Sequence, residues 1–503
     1  MREAGWLLCG SLAALLVLLA WPFGSPITDE RPLAPPALRD GPADATVVVG
    51  APGGRIDDRV YSFNVASWLP DDFAPANETF VAMLRQLRPA LLRFPAGHDS
   101  QFTFFDPTSS RTALPDGFRH RLTGERLDQF LDTTARIGAQ PLLAVNLKTG
   151  SPAMAAELAR HVVDRGHAGA WYELGNEPDL RDRFRASPEA EAGRFLAFAA
   201  ALRAADPSAR LVGGAIMTGA NAFGANGREP WMEPFARIVG ERANALSWHW
   251  YPLDSDNPNP RSPAFPAVEH LVQERASDWL PSGLSFADLA CEAMEAIRAE
   301  TGAEHWVTEL GPDSGAHMAP GITNGQVAAV WIADALPRLA ECGADAVFQF
   351  AARQHEGQVL ALMTHDREPT PLWGAYQLLS MGFRGEWLAC EVDGAPQLAC
   401  HAARAGDGAT SVVLANKGAE SLQVALRWSA GERASVWTLE ADGPTSTTAR
   451  ANGEPLTREL VLAGLPQAAL DADAGVLVPP YGVVLILDAA VHAGPAPAVA
   501  RSP

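Results

Sequence analysis

From residue 59 to 383 the chain repeats one pattern eight times, a short apolar run followed by a longer amphipathic segment. The runs are VYSFNVA (60–66), ALLRFP (90–95), QPLLAVNL (140–147), AWYELGNE (170–177), RLVGGAI (210–216), ALSWHWY (245–251), HWVTEL (305–310) and DAVFQFA (345–351). Short, near-continuous apolar runs read as parallel strands covered on both faces, and the amphipathic stretches between them read as the covering helices. Three of those helices are NETFVAMLRQLR, with Asn77 at the N-cap position, GERLDQFLDTTARIG and NGQVAAVWIADALPRLAECG. Eight such units predict an α/β fold, a (β/α)8 TIM barrel over 59–383 with room for loop insertions.

After residue 384 the texture changes to β-rich runs (TSVVLAN, QVALRW, ASVWTL, GVVLIL) separated by Gly, Asp and Asn. That pattern predicts a β-sandwich over 384–488. The apolar DATVVVG predicts a strand within 46–58 that joins the sandwich. At the start, WLLCGSLAALLVLLAW (6–21) is an uninterrupted apolar run behind Arg2, the length of a signal-peptide core and short for a spanning helix. Residues 1–25 are therefore expected to be a signal peptide or a membrane anchor, followed by a Pro-rich linker (26–45). Either alternative implies export, to the outside or the periplasm. Residues 489–503 are expected to form a disordered tail.

Composition narrows the function classes. Hydrophobic residues are 47% and charged residues 19%, which supplies large cores and excludes a disordered chain. The formal charge is −20, with lysine only at positions 148 and 417. A non-specific nucleic-acid or anionic-membrane binder needs the opposite balance, so nucleic acid is excluded and membrane contact is left to the N-terminal anchor. Of five cysteines, Cys9 lies in the leader. Cys390 and Cys400 flank DGAP in a strand-turn-strand pattern, either as a disulfide or as two small buried residues. Cys291 and Cys342 fall on predicted helices and are expected to be packed free thiols. No C-x-x-C or H-x-x-x-H spacing occurs, so no metal and no cofactor are expected.

In a barrel of this kind the chemistry sits at the C-terminal ends of the strands. The polar residues closing the apolar runs are Arg93, Asn146, Asn176 with Glu177, His249 with Tyr251, Glu309 and Gln349. Any one of them could be a cap or a loop residue. As a set they point to a site, because ionisable groups are costly at the mouth of an apolar barrel unless paired or functional. Glu177 and Glu309, on strands four and seven, would face each other, and a carboxylate pair is the equipment of glycoside hydrolysis.

At these residues a resemblance becomes specific. WYELGNEPDL resembles the Asn-Glu-Pro segment of retaining glycosidases that carry the acid/base on strand four and the nucleophile on strand seven. Within that clan the chain resembles the heparanase and β-glucuronidase family, through LLRFPAGHDSQFTFFDP, WYELGNEP, SWHWYPLD and AVFQFAARQ followed by PTPLWGAYQLLSMGFRG, in family order. The resemblance implies Glu177 as acid/base and Glu309 as nucleophile. It also implies Asn176 on the sugar 2-OH, Tyr251 on the nucleophile, and Arg93 beneath it. Trp171 or Trp248 would supply the less polar setting that Glu177 needs to hold its proton. The implied partner is an oligosaccharide or polysaccharide that contains a uronic acid. Two departures point to a neutral-sugar β-glycosidase, xylosidase or arabinofuranosidase of the same clan. The loop GPDSGAHMAPGIT places Asp313 where a uronate carboxylate would be gripped, and strand two reads RFPAG.

The remaining candidates are weaker. Trp68 and Trp250 adjoin strand ends and are expected to stack on sugar rings, whereas Trp331 and Trp373 are expected in the core. His98, Asp99, Gln101 and Arg353 are candidate subsite residues. A catalytically silent carbohydrate-binding barrel is the alternative of another class.

Overall fold

The computed structural model describes residues 41–488, apart from 75–76, 109–112, 180–185, 218–229, 261, 263, 274–285, 316–318, 429–432 and 472–474. The leader, the linker up to residue 40 and the tail lie outside the described residues. No described helix is long and apolar enough to cross a membrane.

All eight apolar runs become strands. In chain order the strands are β1 (Ala45–Ile56), β2 (Ser62–Asn64), β3 (Leu91–Phe94), β4 (Thr103–Asp106), β5 (His120–Thr123), β6 (Gln140–Val145), β7 (Trp171–Leu174), β8 (Arg210–Ile216), β9 (Ala245–Trp250), β10 (Glu304–Leu310) and β11 (Ala346–Gln349). Strands β2, β3 and β6 to β11 form a closed parallel barrel in sequence order, with β11 pairing β2. The β4–β5 pair is a separate two-stranded sheet in the excursion after β3, which the sequence pattern did not reveal. Helix starts follow local chemistry: Asn77 accepts from the Phe80 amide, and Ser151, Ser187 and Thr370 each cap a helix whose first residue is proline.

Alternation along the strands fills the barrel in layers. Leu91, Leu142, Trp171, Val212, Ala245, Trp306, Ala346 and Phe348 form an apolar floor. Arg210 and Arg59 lie over the ring of Trp171, and Arg59 also lies over Trp306. Two residues further along the strands the lining turns polar, with Arg93, Glu173 and Ser247 all fully buried. The site rests on that layer.

The second domain is an eleven-stranded sheet: β1, β12 (Gly385–Asp393), β13 (Leu398–Arg404), β14 (Thr410–Asn416), β15 (Leu422–Arg427), β16 (Arg433–Glu440), β17 (Arg450–Ala451), β18 (Glu454–Pro455), β19 (Ala468–Asp471), β20 (Val476–Val478) and β21 (Val483–Asp488). Strand β1 lies between β12 and β15. Alternate residues serve two cores. Val412, Leu414, Val484 and Ile486 enter the sandwich interior, while Val413, Ala415, Leu485 and Leu487 enter the barrel's helix layer. Burying each of these larger side chains contributes roughly 1.5–3 kcal/mol. A Cβ on Gly382 would lie 2.2 Å from Leu485, so glycine is what lets the helix Pro371–Gly382 sit this close to β21.

Beside that seam lies an ionic cluster around the buried His401 and Asp334. His401 on β13 meets Glu341 through Nδ1 at 2.8 Å and Asp334 through Nε2 at 3.0 Å. Lys417 ion-pairs with Asp334.

Two disulfides close loops. Cys390 and Cys400 face each other by extension of the β12–β13 register, with Cα atoms 5.7 Å apart. Cys291 and Cys342, expected as free thiols, are bonded instead, also with Cα atoms 5.7 Å apart. The helix Phe286–Thr301 carries one of them, and the C-cap of the helix Gln326–Glu341 carries the other. Their separation of 51 residues hid the approach from local pattern reading.

Candidate active site

Five strands deliver the site. From β3 comes Arg93, wholly buried, whose guanidinium donates to Glu173 through Nε, to Asn64 (2.9 Å) and Glu309 Oε1 (2.6 Å) through Nη1, and to Asn176 Oδ1 (2.8 Å) through Nη2. Tyr251, past the end of β9, donates to Glu309 Oε2 at 2.8 Å. His249 Nδ1 lies 3.1 Å from Glu177 Oε1 and 3.6 Å from Glu309 Oε2. One oxygen from each glutamate and one ring nitrogen of His249 lie within 4.8 Å of one another.

Local backbone irregularities aim these side chains. Strict alternation from Trp306 would turn Glu309 outward. A register shift between Val307 and Glu309 sets Glu309 opposite His249 and brings it into the barrel. Glu177 and Ala215 both take left-handed backbone, with φ of 45° and 44°. Each such residue costs roughly 1–2 kcal/mol. The two are joined by the bond from Glu177 N–H to Ala215 O, at 2.7 Å.

The environments push the two carboxyls apart. Burial raises the pKa of Glu177, the bond from His249 works against it, and the charge of Glu309 adds to it, leaving it above the ordinary value. Burial acts in the same sense on Glu309. There the charges of His249 and Arg93 and the bonds from Tyr251 and Arg93 outweigh it, and the net is a lowered value. Burial lowers the His249 pKa, but the two glutamates raise it above its ordinary value. The Tyr251 phenol is held protonated by burial and by the glutamate charges. Two buried polar atoms, His249 Nε2 and Asn176 Nδ2, make no hydrogen bond among the described residues.

A cavity of about 200 Å3 opens above the pair, lined by Gly97, His98, Met217, Tyr251, Asp313, Ser314, Thr323, Phe350 and Leu360 besides the two glutamates. The trio Glu177, His249 and Glu309 is also, among the described residues, the group whose donor atoms come close enough to hold a cation. Arg93 already supplies positive charge at Glu309 Oε1.

Several expected site residues lie elsewhere. Trp250 is buried against Trp331, 5.7 Å between ring centres, because alternation puts it with Trp248 on the helix-facing side of β9. For the same reason Gln349 faces outward and accepts from Tyr376 at 3.2 Å. Asn146 ties the loop after β6, donating to Thr103 O and accepting from the Thr149 amide. Asp99 accepts from Ser67 and pairs with His120 at the rim. Arg353 is spent on Asp71 and Asp72. Trp171 lies in the floor and Trp248 donates to His305, so neither surrounds Glu177. Asp313 accepts from the amides of Ser255, Gly315 and Ala319 and so organises its own loop. Glu173, Asn64 and Ser247 were missed, although the signal existed: a carboxylate inside an apolar strand, in step with Trp171, must have a buried partner.

No protein-family model matches the chain, and none of the curated proteins does. Solved structures of similar fold include the GH51 arabinofuranosidase from Xanthomonas axonopodis pv. citri, with a TM-score of 0.65 at 15% identity over 88% of this chain and 99% of that one. An α-L-arabinofuranosidase from Thermotoga maritima gives 0.64 at 12% over 88% and 99%. A family 44 xyloglucanase from Paenibacillus polymyxa gives 0.59 at 12% over the same shares. The barrel and sandwich are thus a fold shared with these proteins.

Proposed function

We propose that this chain is a retaining glycoside hydrolase, with Glu177 as general acid/base and Glu309 as nucleophile. The observation that carries the reading is the carboxylate pair, whose oxygens approach within 4.8 Å. Retaining enzymes hold the two carboxyls ~5–5.5 Å apart, and inverting ones ~6.5–9.5 Å apart to admit a water. In the first step a Glu309 oxygen bonds to the anomeric carbon as the bond to the leaving oxygen breaks, and that oxygen takes the Glu177 proton. In the second, Glu177 takes a proton from a water whose oxygen attacks the same carbon, and Glu309 leaves as a carboxylate. Arg93 and Tyr251 keep Glu309 ionised, and His249 shares the Glu177 proton. The unpartnered Asn176 Nδ2 is suited to donate to the sugar 2-OH.

The substrate reading moves to a neutral glycoside of the arabinofuranosidase or xylosidase kind. Two amides of that loop among the described residues are already engaged, Gly315 N–H on Asp313 and Ser314 N–H on Leu253 O. Two of the proteins of similar fold are arabinofuranosidases. The heparanase-like and glucuronidase-like reading is the second one, supported by the four ordered sequence segments. A silent binding barrel would have no use for two facing carboxyls pushed to opposite ionisation states. The apolar run at 6–21 supports export, with the leader cleaved or kept as an anchor.

A panel of neutral nitrophenyl glycosides and an acidic polysaccharide, with the anomeric configuration of the first product read by proton NMR, tests this. Release of a neutral sugar with retention is expected. Cleavage of the uronate substrates alone overturns the sugar class, and inversion overturns the mechanism.

A further inference from the structure

Beneath the two catalytic candidates lies a third carboxylate to which the proposed mechanism gives no step. Glu173 on β7 is completely buried. One of its oxygens accepts from Arg93 Nε, and Arg93 passes on to Glu309 through Nη1. The other accepts the Ser247 hydroxyl at 2.8 Å. Ser247 Oγ in turn accepts the Ala215 amide at 3.1 Å, and Ala215 O holds the Glu177 amide. Glu173 thus touches both catalytic candidates at one remove, Glu309 through a shared cation and Glu177 through the left-handed turn that aims it.

We propose that Glu173 is a positioning residue that sets how strongly Arg93 attracts Glu309 and fixes the backbone that points Glu177 into the cavity. A cation held by Glu309 alone would make that carboxylate a poor nucleophile, since attraction that keeps it ionised also withdraws its basicity. Sharing Arg93 between two carboxylates leaves Glu309 charged yet reactive. The inference rests on the glycosidase reading for its consequence, but its electrostatic part is measurable without turnover.

The test is a pH titration of the glutamate side-chain carboxyls by 13C NMR in the whole protein, with Glu309 assigned through Glu309→Gln, for the parent, Glu173→Gln and Ser247→Ala. Glu173→Gln frees Arg93 for Glu309, and the Glu309 midpoint is expected to fall by about 1 unit. Ser247→Ala removes a donor from Glu173, strengthens its hold on Arg93, and is expected to move the midpoint the other way. On whichever glycoside the parent cleaves, Glu173→Gln is expected to lower kcat at least tenfold with KM changed less than threefold. A Glu309 midpoint unmoved in a folded Glu173→Gln overturns the proposal. If that variant does not fold, an unmoved midpoint in Ser247→Ala overturns it. A parent that cleaves no glycoside, with midpoints that still shift in opposite directions, overturns the glycosidase reading and leaves the Glu173 coupling standing.

Discussion

Two histidines in this protein each sit between two carboxylates, and they differ in what is left over. At the domain seam, His401 bonds Glu341 and Asp334 with both ring nitrogens, and Lys417 completes Asp334. At the barrel mouth, His249 offers one nitrogen to both Glu177 and Glu309, while its Nε2 and the neighbouring Asn176 Nδ2 have no partner among the described residues. A buried polar group without a partner costs about 1–3 kcal/mol. The seam leaves His401 no such cost, which marks it as structural. The mouth retains it, which is consistent with the binding role proposed for those atoms.

The electrostatics differ in the same way. At the seam two groups are pushed toward their charged forms: burial opposes it, but Glu341 and Asp334 raise His401 to about 9, and the bond from His401 and the charge of Lys417 hold Asp334 below its ordinary value. At the mouth the carboxyls are driven apart, one up and one down.

The largest expected effect separates the clusters by activity. Glu309→Gln should cut kcat by at least ~10^4-fold, as removal of a covalent nucleophile does. It should leave the folded state intact by circular dichroism. In the parent, activity should fall at low pH as Glu309 gains a proton below its ordinary value, and at high pH as Glu177 loses one above its ordinary value. Glu177→Gln should abolish the alkaline limb, and a pH–rate profile that keeps it would break the assignment.

The seam should respond in stability instead. His401→Ala takes a bond from buried Asp334, which keeps Lys417, and from half-buried Glu341, and should cost about 1–3 kcal/mol, seen as a lower melting temperature with kcat unchanged. The sign follows from the raised pKa. The folded value of about 9 exceeds the ordinary 6.5, so the contribution is complete below pH ~6.5 and disappears as pH rises to about 9. His401→Gln should lack that alkaline decline, and a parent whose melting temperature is flat from pH 6.5 to 9 would contradict the charged histidine.

The cross-links touch neither cluster and are expected to affect stability alone. Opening Cys291–Cys342 by Cys342→Ser should cost about 4 kcal/mol, and opening the shorter Cys390–Cys400 loop nearer ~3. Melting with and without reductant checks the order, and a larger loss from the shorter loop would reverse it.

The barrel's eight strands, the sandwich and the residues Glu177 and Glu309 are legible in the sequence, because apolar runs and the polar residues that close them are written in local composition. It also carried Arg93, Asn176, His249 and Tyr251, which close or follow strands. Which way side chains face and which distant groups meet is settled only when the chain closes on itself. The shift at β10 turns Glu309 inward against its alternation. Alternation on β9 and β11 sends Trp250 and Gln349 out to the helices, a direction that cannot be fixed until the barrel closes. Cys291 finds Cys342, and Glu173 finds Arg93, only because strands and helices far apart in sequence pack side by side. Hydrophobic patterning is a property of neighbouring residues. Charge pairing, bond partners and facing are properties of the closed fold.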